Sequence, residues 1–270
     1  MEAYLPLIAV LVVTGMAAGL IAGLFGIGGG VVMVPALYFA FTALGYEAHA
    51  MQAAVGTSLV VIVATGLRSV SAHASRGAVD FQILKTWSPW IVAGAIAGSV
   101  IADLAPSEAL TALFGVVALL LAAQFFFGRP DWRLAETLPG GALRAGLGAF
   151  IGVLSALMGI GGGVFGVTLM TLCGKPIHTA VATSAGLGVA IGAAGAAGFI
   201  VGGLDEAGRA PFSLGYVNLA GFAVLAASAF FLAPVGAKLA HRLNAARLRQ
   251  AFGIGLALVA LNMLREALIA

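Results

Sequence analysis

Long runs of apolar residues without a charged side chain alternate with short charged segments along the whole chain. Most runs are about 20 residues or longer, which is the length that an α-helix needs to cross a bilayer, and several are long enough to cross more than once. Polar and apolar positions do not alternate within them, so the pattern predicts helices and argues against a transmembrane β-barrel. The runs cover residues 3–46, 48–67, 109–128, 145–174, 176–204 and 210–237.

Ten helices are predicted, in two sets of five. The second helix of each set is short: the about 14 residues of 31–45 span roughly 21 Å at 1.5 Å per residue, against a hydrocarbon core of ~30 Å, and 164–174 is shorter still. Each short helix is therefore expected to begin below the membrane surface. The first set is 4–25, 31–45, 49–71, 87–103 and 107–127, and the second is 142–158, 164–174, 177–202, 213–239 and 246–268.

Composition agrees with a membrane protein. Hydrophobic residues make up 61% of the chain, charged residues 9%, and the mean hydropathy is +1.11, whereas soluble domains have roughly 25% charged residues. The net charge of +3 comes from Lys and Arg in short loops, where they orient a membrane protein and do not indicate nucleic-acid binding. The single cysteine, Cys173, excludes an intramolecular disulfide and is expected to pack as a small apolar residue.

The sequence Gly-Ile-Gly-Gly-Gly occurs twice, at 26–30 and 159–163, and two further blocks recur in the same order. Ala-Val-Gly-Thr-Ser at 54–58 matches Ala-Val-Ala-Thr-Ser at 180–184, and Gly98 followed by Phe114-Gly115 matches Gly236 followed by Phe252-Gly253 at the same spacing. These matches indicate a duplication. The predicted division is a first repeat (1–128), a basic cytoplasmic connector (129–141) and a second repeat (142–270).

Loop charges predict how the repeats are oriented. If the two short helices cross the membrane, the basic loops around 68–85, 129–144 and 238–249 fall on one side and the acidic loops around 103–108 and 205–209 on the other, as the positive-inside tendency requires. Five crossings per repeat then make the second repeat enter from the opposite face. The predicted fold is an all-α polytopic membrane protein with two inverted repeats of about five segments each and glycine-broken helices near the midplane.

The glycine runs are the first candidate site. Glycines allow the chain to unwind, and the next helix then starts with bare backbone N–H groups that favour an anion. The alternative is that the glycines only allow close helix packing, which is the role we expect for Gly94, Gly98 and the glycines of 186–198. The candidate substrate-binding residues are Gly28, Gly29, Gly30 and Val31 in the first run, and Gly161, Gly162, Gly163 and Val164 in the second.

Hydroxyl pairs follow each break. Thr57-Ser58 and Thr183-Ser184 lie about two turns into long apolar helices, where their hydroxyls can donate to an oxyanion; the alternative is a bond to their own i−4 carbonyl. His49 and His178 begin the same helices and are candidates for proton coupling, with capping at the interface as the alternative. No acidic residue is clearly placed at midplane depth, so we expect no sodium or metal site built from carboxylates, and we name no catalytic residue.

These motifs resemble those of the sulfite exporter TauE/SafE family. The resemblance rests on Gly19–Pro35, on Gly56-Thr57-Ser58, and on Gly152–Gly163 followed by His178–Ser184, and it covers essentially the whole chain. It implies a multi-pass anion transporter of a bacterial or archaeal cell membrane, without a known cofactor, that moves sulfite, sulfoacetate or other organosulfonates. The second copy departs from the first, with Thr168 in place of Pro35 and Ala182 in place of Gly56.

The predicted function is a secondary transporter that exports a small sulfur oxyanion by alternating access, with the lipid bilayer and the anion as partners. Nucleic acid is not an expected partner, and a homodimer stays open. Four alternatives remain at this point: an anion channel of the same architecture, a transporter of a different small anion, a non-transporting scaffold, and an intramembrane enzyme using Ser155 or Ser184 with a histidine. No Ser and His share a helical face at a spacing that supports the enzyme.

Overall fold

The protein is described here by a computed structural model covering residues 4–25, 29–128, 133–240 and 245–269. These residues form helices and one ladder of two residues per strand, and six of the helices are long and apolar enough to cross a membrane. The all-α polytopic fold is thereby confirmed. The elements are α1 (Tyr4–Phe25), α2 (Gly30–Ala43), α3 (Ala50–Ala74), α4 (Phe81–Leu104), α5 (Ser107–Phe127), α6 (Gly141–Met158), α7 (Gly163–Leu172), α8 (Ile177–Gly202), β1 (Ser213–Leu214), β2 (Val217–Asn218), α9 (Leu219–Ala240) and α10 (Ala245–Ile269).

Two helix starts differ from the prediction by more than one residue. Residues 213–218 were predicted to open a helix but form an antiparallel hairpin, because Gly215 at its turn has a φ of 58°, a conformation that the interior of a right-handed helix does not contain. Helix α4 begins at Phe81 instead of 87, because Asp80 caps it and its first turns tolerate Gln82, Lys85 and Thr86 near the membrane surface.

Helices of the first five pack mainly against helices of the second five. Helix α1 packs along α9, α4 along α6, α5 along α10, and α3 along α8. Helices α4 and α6 are in backbone contact, since a Cβ on Gly98 would lie 2.7 Å from the Val153 carbonyl oxygen. The packing role expected for Gly94 and Gly98 fits this contact.

The α3–α8 pair lies at the centre and is antiparallel. A Cβ on Gly56, near the start of α3, would lie 3.1 Å from Phe199 near the end of α8, whereas one on Gly66 would lie 2.8 Å from Val189. Thr57 and Thr183, which hold matching positions in the two sequence blocks, therefore lie at opposite ends of this pair. Antiparallel packing of matching helices is what an inverted repeat requires, and the relation between the complete halves stays a prediction.

The two ends of the molecule carry different loops. At one end, called the Asn218 end, the start of α3 meets both acidic loops: Gln52 donates to the Ala105 carbonyl over 2.9 Å, and His49 lies 3.4 Å from Glu206. At the other, called the Asp80 end, the Leu134 amide donates to the Leu172 carbonyl over 2.9 Å. Residues 129–132 and 241–244, from two of the basic loops, lie outside the described residues.

Candidate functional site

The second glycine break separates α6 from α7. Gly159 ends α6 in the left-handed conformation, with φ 62°, and the Ile160 amide donates to the Ser155 carbonyl over 3.0 Å. Only glycine adopts this conformation without strain in a tightly packed place. Helix α7 then starts at Gly163, where the amides of Val164 and Phe165 find no acceptor among the described residues.

The first break precedes α2. Gly28 lies outside the described residues, and Gly29, with φ 74°, is the cap of α2. Its carbonyl accepts from the Val32 and Met33 amides, whereas the amides of Gly30 and Val31 find no acceptor in the part of the chain that is described. Both short helices thus begin with amide groups that have no acceptor among the described residues, and both starts are largely buried.

The two breaks lie against each other. A Cβ on Gly30 would overlap the Gly159 carbonyl oxygen and lie 3.1 Å from the Ile160 Cα. Gly161 in turn faces Ile62 of α3 and lies against Gly188 of α8. The start of α2, the end of α6 and the central α3–α8 pair therefore meet at one place.

The matching serines have different partners. The Ser58 hydroxyl donates to the Gly159 carbonyl over 2.8 Å and so ties α3 to the second break. Ser184 is equally buried, but its hydroxyl finds no partner among the described residues. It lies against the first turn of α7, since a Cβ on Gly166 would lie 2.7 Å from the Ser184 Oγ.

The matching threonines have equivalent partners. The Thr57 hydroxyl accepts from the Asn218 amide, and the Thr183 hydroxyl accepts from the Asp80 amide, each over 2.9 Å. Both threonines are fully buried. Neither donates to its own i−4 carbonyl in the described structure. Each hydroxyl therefore keeps its proton for another acceptor.

The histidines lie away from this centre, at opposite ends. His49 is half-buried next to Glu206, and its ring lies 5.4 Å from that of Tyr216. Burial raises the pKa of the Tyr216 phenol, and the nearby Asp103 and Glu206 carboxylates raise it further. His178 is exposed at the start of α8.

Asp80 is a group that the sequence analysis did not select. Its Oδ2 lies 3.0 Å from the Lys175 Nζ, and its Oδ1 accepts from the Ile83 amide over 3.1 Å. Burial alone would raise the pKa of this carboxyl, but the bonds from Lys175 and Ile83 outweigh burial and hold the pKa below its usual range. An Asp before an apolar run is an N-cap signal, and with it α4 would have been placed correctly.

Asn218 is the corresponding residue before α9. Its Oδ1 accepts from the Gly221 amide over 2.8 Å, and its side-chain amide donates to the Pro211 carbonyl. The hairpin before it reaches into the protein, with Tyr216 and Val217 almost fully buried. No sequence signal singled out Asn218, because the apolar residues around it read as the start of a helix.

Comparisons with known proteins agree on one family. The model of the sulfite exporter TauE/SafE family matches residues 11–263. The chain is 32% identical to a probable membrane transporter protein of Haemophilus influenzae, over 92% of this chain and 95% of the relative. It is 26% identical to one of Methanocaldococcus jannaschii, over 91% of each, and 33% identical to YunE of Bacillus subtilis, over 65% of this chain and 71% of the relative.

No solved structure matches the chain. The six spans, the family match across nearly the whole chain and the names of the relatives agree with the sequence-based expectation. The chain therefore belongs to the sulfite exporter TauE/SafE family and is a multi-pass membrane transporter of that type.

Proposed function

We propose that the protein is a secondary transporter that exports a small sulfur oxyanion, either sulfite or a C2 organosulfonate such as sulfoacetate, by alternating access. The contact between Gly30 and the Gly159 carbonyl is the observation that carries the proposal. It brings the two glycine breaks to one place between α3 and α8. Two buried helix starts whose amides lack an acceptor among the described residues, one against the end of α6 and the other just after it in sequence, suit an anion, because backbone N–H groups bind oxyanions without a fixed positive charge.

The hydroxyls complete the proposed site. Ser184 is a buried donor without a partner among the described residues, a property it shares with Ser155, and it lies against the first turn of α7, so its hydroxyl is free to bind an oxyanion there. Thr57 and Thr183 each retain a proton to donate. Ser58 is already engaged by the Gly159 carbonyl, so it shapes the site through that bond. His49 is the more suitable proton-coupling group, since it faces a carboxylate, whereas His178 is exposed.

The test is flux of sulfite and of sulfoacetate into proteoliposomes, with and without an imposed pH gradient. The flux through a carrier saturates as the substrate concentration rises. The flux through a channel of the same architecture continues to rise and is not coupled to the pH gradient. A hydrogen bond to a charged group contributes about 1.5–3 kcal/mol, so Ser184→Ala is expected to raise the KM roughly 10- to 150-fold. If proton coupling uses His49, the gradient changes the flux of the wild type but not of His49→Gln.

Ser99→Ala is the matched control. Ser99 lies on α4, is buried like Ser184, and packs against Gly198 of α8, the helix that carries Ser184. Gly198 lies about 21 Å along the helix axis from Ser184. Its hydroxyl only donates within α4, to the Ile96 carbonyl over 2.8 Å. A loss of flux in Ser184→Ala but not in Ser99→Ala supports the site. Equal KM values for both variants would remove Ser184 from it, and no flux of either anion from folded protein would refute the substrate class.

A further inference from the structure

Two matching hydrogen bonds join the halves of the molecule. In each, the hydroxyl of a buried threonine accepts from the backbone amide of the residue before a helix: Thr57 from Asn218, 161 residues away, and Thr183 from Asp80, 103 residues away. The acceptor is on the third helix of one half and the donor precedes the fourth helix of the other. We call these bonds the Asn218 latch and the Asp80 latch.

Both latch donors are themselves fixed in the same way. The side chain of Asp80 accepts from the Ile83 amide, three residues later, and that of Asn218 accepts from the Gly221 amide, also three residues later. A side chain in this bond fixes the direction of its own backbone amide. Each latch therefore depends on a helix start that holds its amide towards the threonine.

The latches lie at opposite ends of the central pair. Helices α3 and α8 are antiparallel, and each latch threonine is within two turns of the start of its helix. A helix of 25 or 26 residues is longer than the hydrocarbon core of ~30 Å. One latch accordingly lies towards each face of the membrane, with the glycine breaks between them.

A side-chain contact accompanies each latch. Lys175, in the loop before α8, forms an ion pair with Asp80 over 3.0 Å, and the ring of His49, in the loop before α3, lies 3.4 Å from the Glu206 carboxylate. Each contact joins the same two segments that its latch joins: the start of a third helix and the loop before the opposite fourth helix. Both contacts at one end must separate if that end opens.

We propose that the two latches are the gates of the transport cycle, and that Asp80 and Asn218 are positioning residues that hold one gate each closed. This inference rests on the alternating access proposed above. Opening one face breaks the latch at that end and leaves the other intact. Each latch hydroxyl accepts the amide and still has its own hydrogen to donate. The same two threonines can therefore contact both a gate and an anion bound between the gates.

The test uses single substitutions that keep side-chain volume and remove the latch acceptor, Thr183→Val and Thr57→Val. The reporter at the Asp80 end is the native Cys173, which is buried at the end of α7, two residues before Lys175. The reporter at the Asn218 end is Ala53→Cys in a Cys173→Ala background; Ala53 lines a crevice with His49, Arg209 and Tyr216. The readout is the rate of alkylation by a hydrophilic maleimide, without substrate.

Thr183→Val is expected to raise the alkylation rate at Cys173 roughly fivefold, since a buried hydrogen bond of about 1 kcal/mol shifts an equilibrium by that factor. It should lower the rate at the Asn218-end reporter or leave it unchanged. Thr57→Val should raise the alkylation rate at the Asn218-end reporter and lower or leave unchanged the rate at Cys173. Thr183→Ser and Thr57→Ser keep the hydroxyl, so their alkylation rates at both ends should equal those of the wild type.

Equal changes at both ends, or no change at either, would overturn the gates and leave the two bonds as structural contacts only. This readout needs no transported anion. End-specific labelling without sulfite or sulfoacetate flux would therefore retain the gates and reject the proposed substrate. Flux without end-specific labelling would retain the substrate and reject the gates.

Discussion

Removing the hydroxyls of Ser58 and Ser184 should change protein stability in opposite directions, although the two serines occupy matching positions in the two halves. Ser58→Ala removes the donor to the Gly159 carbonyl, which lies buried against Gly30. A buried carbonyl left without its donor costs about 1–3 kcal/mol. Ser184→Ala removes a buried hydroxyl that has no partner among the described residues, and removal of such a group is neutral or stabilising by up to about 2 kcal/mol.

The assay is thermal unfolding of both variants and the wild type in the same detergent, at several heating rates. A change of 1 kcal/mol shifts the Tm by about 2–4 °C for a chain of this size. We expect Ser58→Ala to unfold several degrees below the wild type and Ser184→Ala at or above it. Ser99→Ala, which removes only a bond within α4, should lie between them.

A loss of stability in Ser184→Ala as large as that in Ser58→Ala would refute this reasoning. It would mean that Ser184 has a structural partner of its own. The free donor that the anion site needs would then have to be another group. If Ser184→Ala keeps the Tm of the wild type and has a raised KM, the substitution affects binding and not folding. A variant that lost flux because it unfolded would also have a lower Tm.

Two further predictions concern the glycine break and the Asp80 cap. Gly30→Ala should lower flux roughly 5- to 150-fold, because the added methyl overlaps the Gly159 carbonyl and overpacking costs about 1–3 kcal/mol. Gly146→Ala, with open space around it on α6, should transport as the wild type. Equal fluxes of the two variants would show that the contact at Gly30 accommodates a methyl group without loss of transport. Asp80→Asn should lower the Tm near pH 7, and the difference in Tm from the wild type should narrow below about pH 4. The reason is that the pKa of Asp80 is lowered in the folded protein, so its stabilisation is present above the pKa of the unfolded state and is lost as the pH falls through the pKa of the folded state. A difference in Tm that is the same at pH 3 and pH 7 would contradict that dependence.

The sequence predicted the helices well and the contacts between them poorly. Helices such as α8, predicted and observed at 177–202, are long apolar runs whose bounds are fixed locally by Pro176 and Gly203. Helix α4 was predicted too short because 82–86 contain polar residues, and the hairpin at 213–218 was read as helix because its residues are largely apolar. In both places, the structure of a few residues near the membrane surface is set by capping and loop packing, which mean hydropathy does not report.

The latches were beyond sequence reasoning for a different reason. The Thr57–Asn218 bond joins residues 161 positions apart, and which amide reaches the threonine depends on how far the hairpin enters the protein. The sequence did identify Thr57 and Thr183 as a matching pair. It could not distinguish a hydroxyl that binds an anion from one that accepts a backbone amide, because both need the same buried polar group in an apolar helix.

The matching halves differ most in the side-chain contacts beside the latches, and this difference should give the transporter a preferred state. At the Asp80 end, the Lys175 Nζ lies 3.0 Å from the Asp80 carboxylate, which also caps α4. At the Asn218 end, the His49 ring lies 3.4 Å from Glu206, whose side chain is 46% exposed, so solvent screens this contact more strongly. The Asp80 gate should therefore be the more firmly closed of the two. We expect Lys175→Gln to raise maleimide labelling at Cys173 by a larger factor than His49→Gln raises it at the Asn218-end reporter, and equal factors would contradict this difference between the halves.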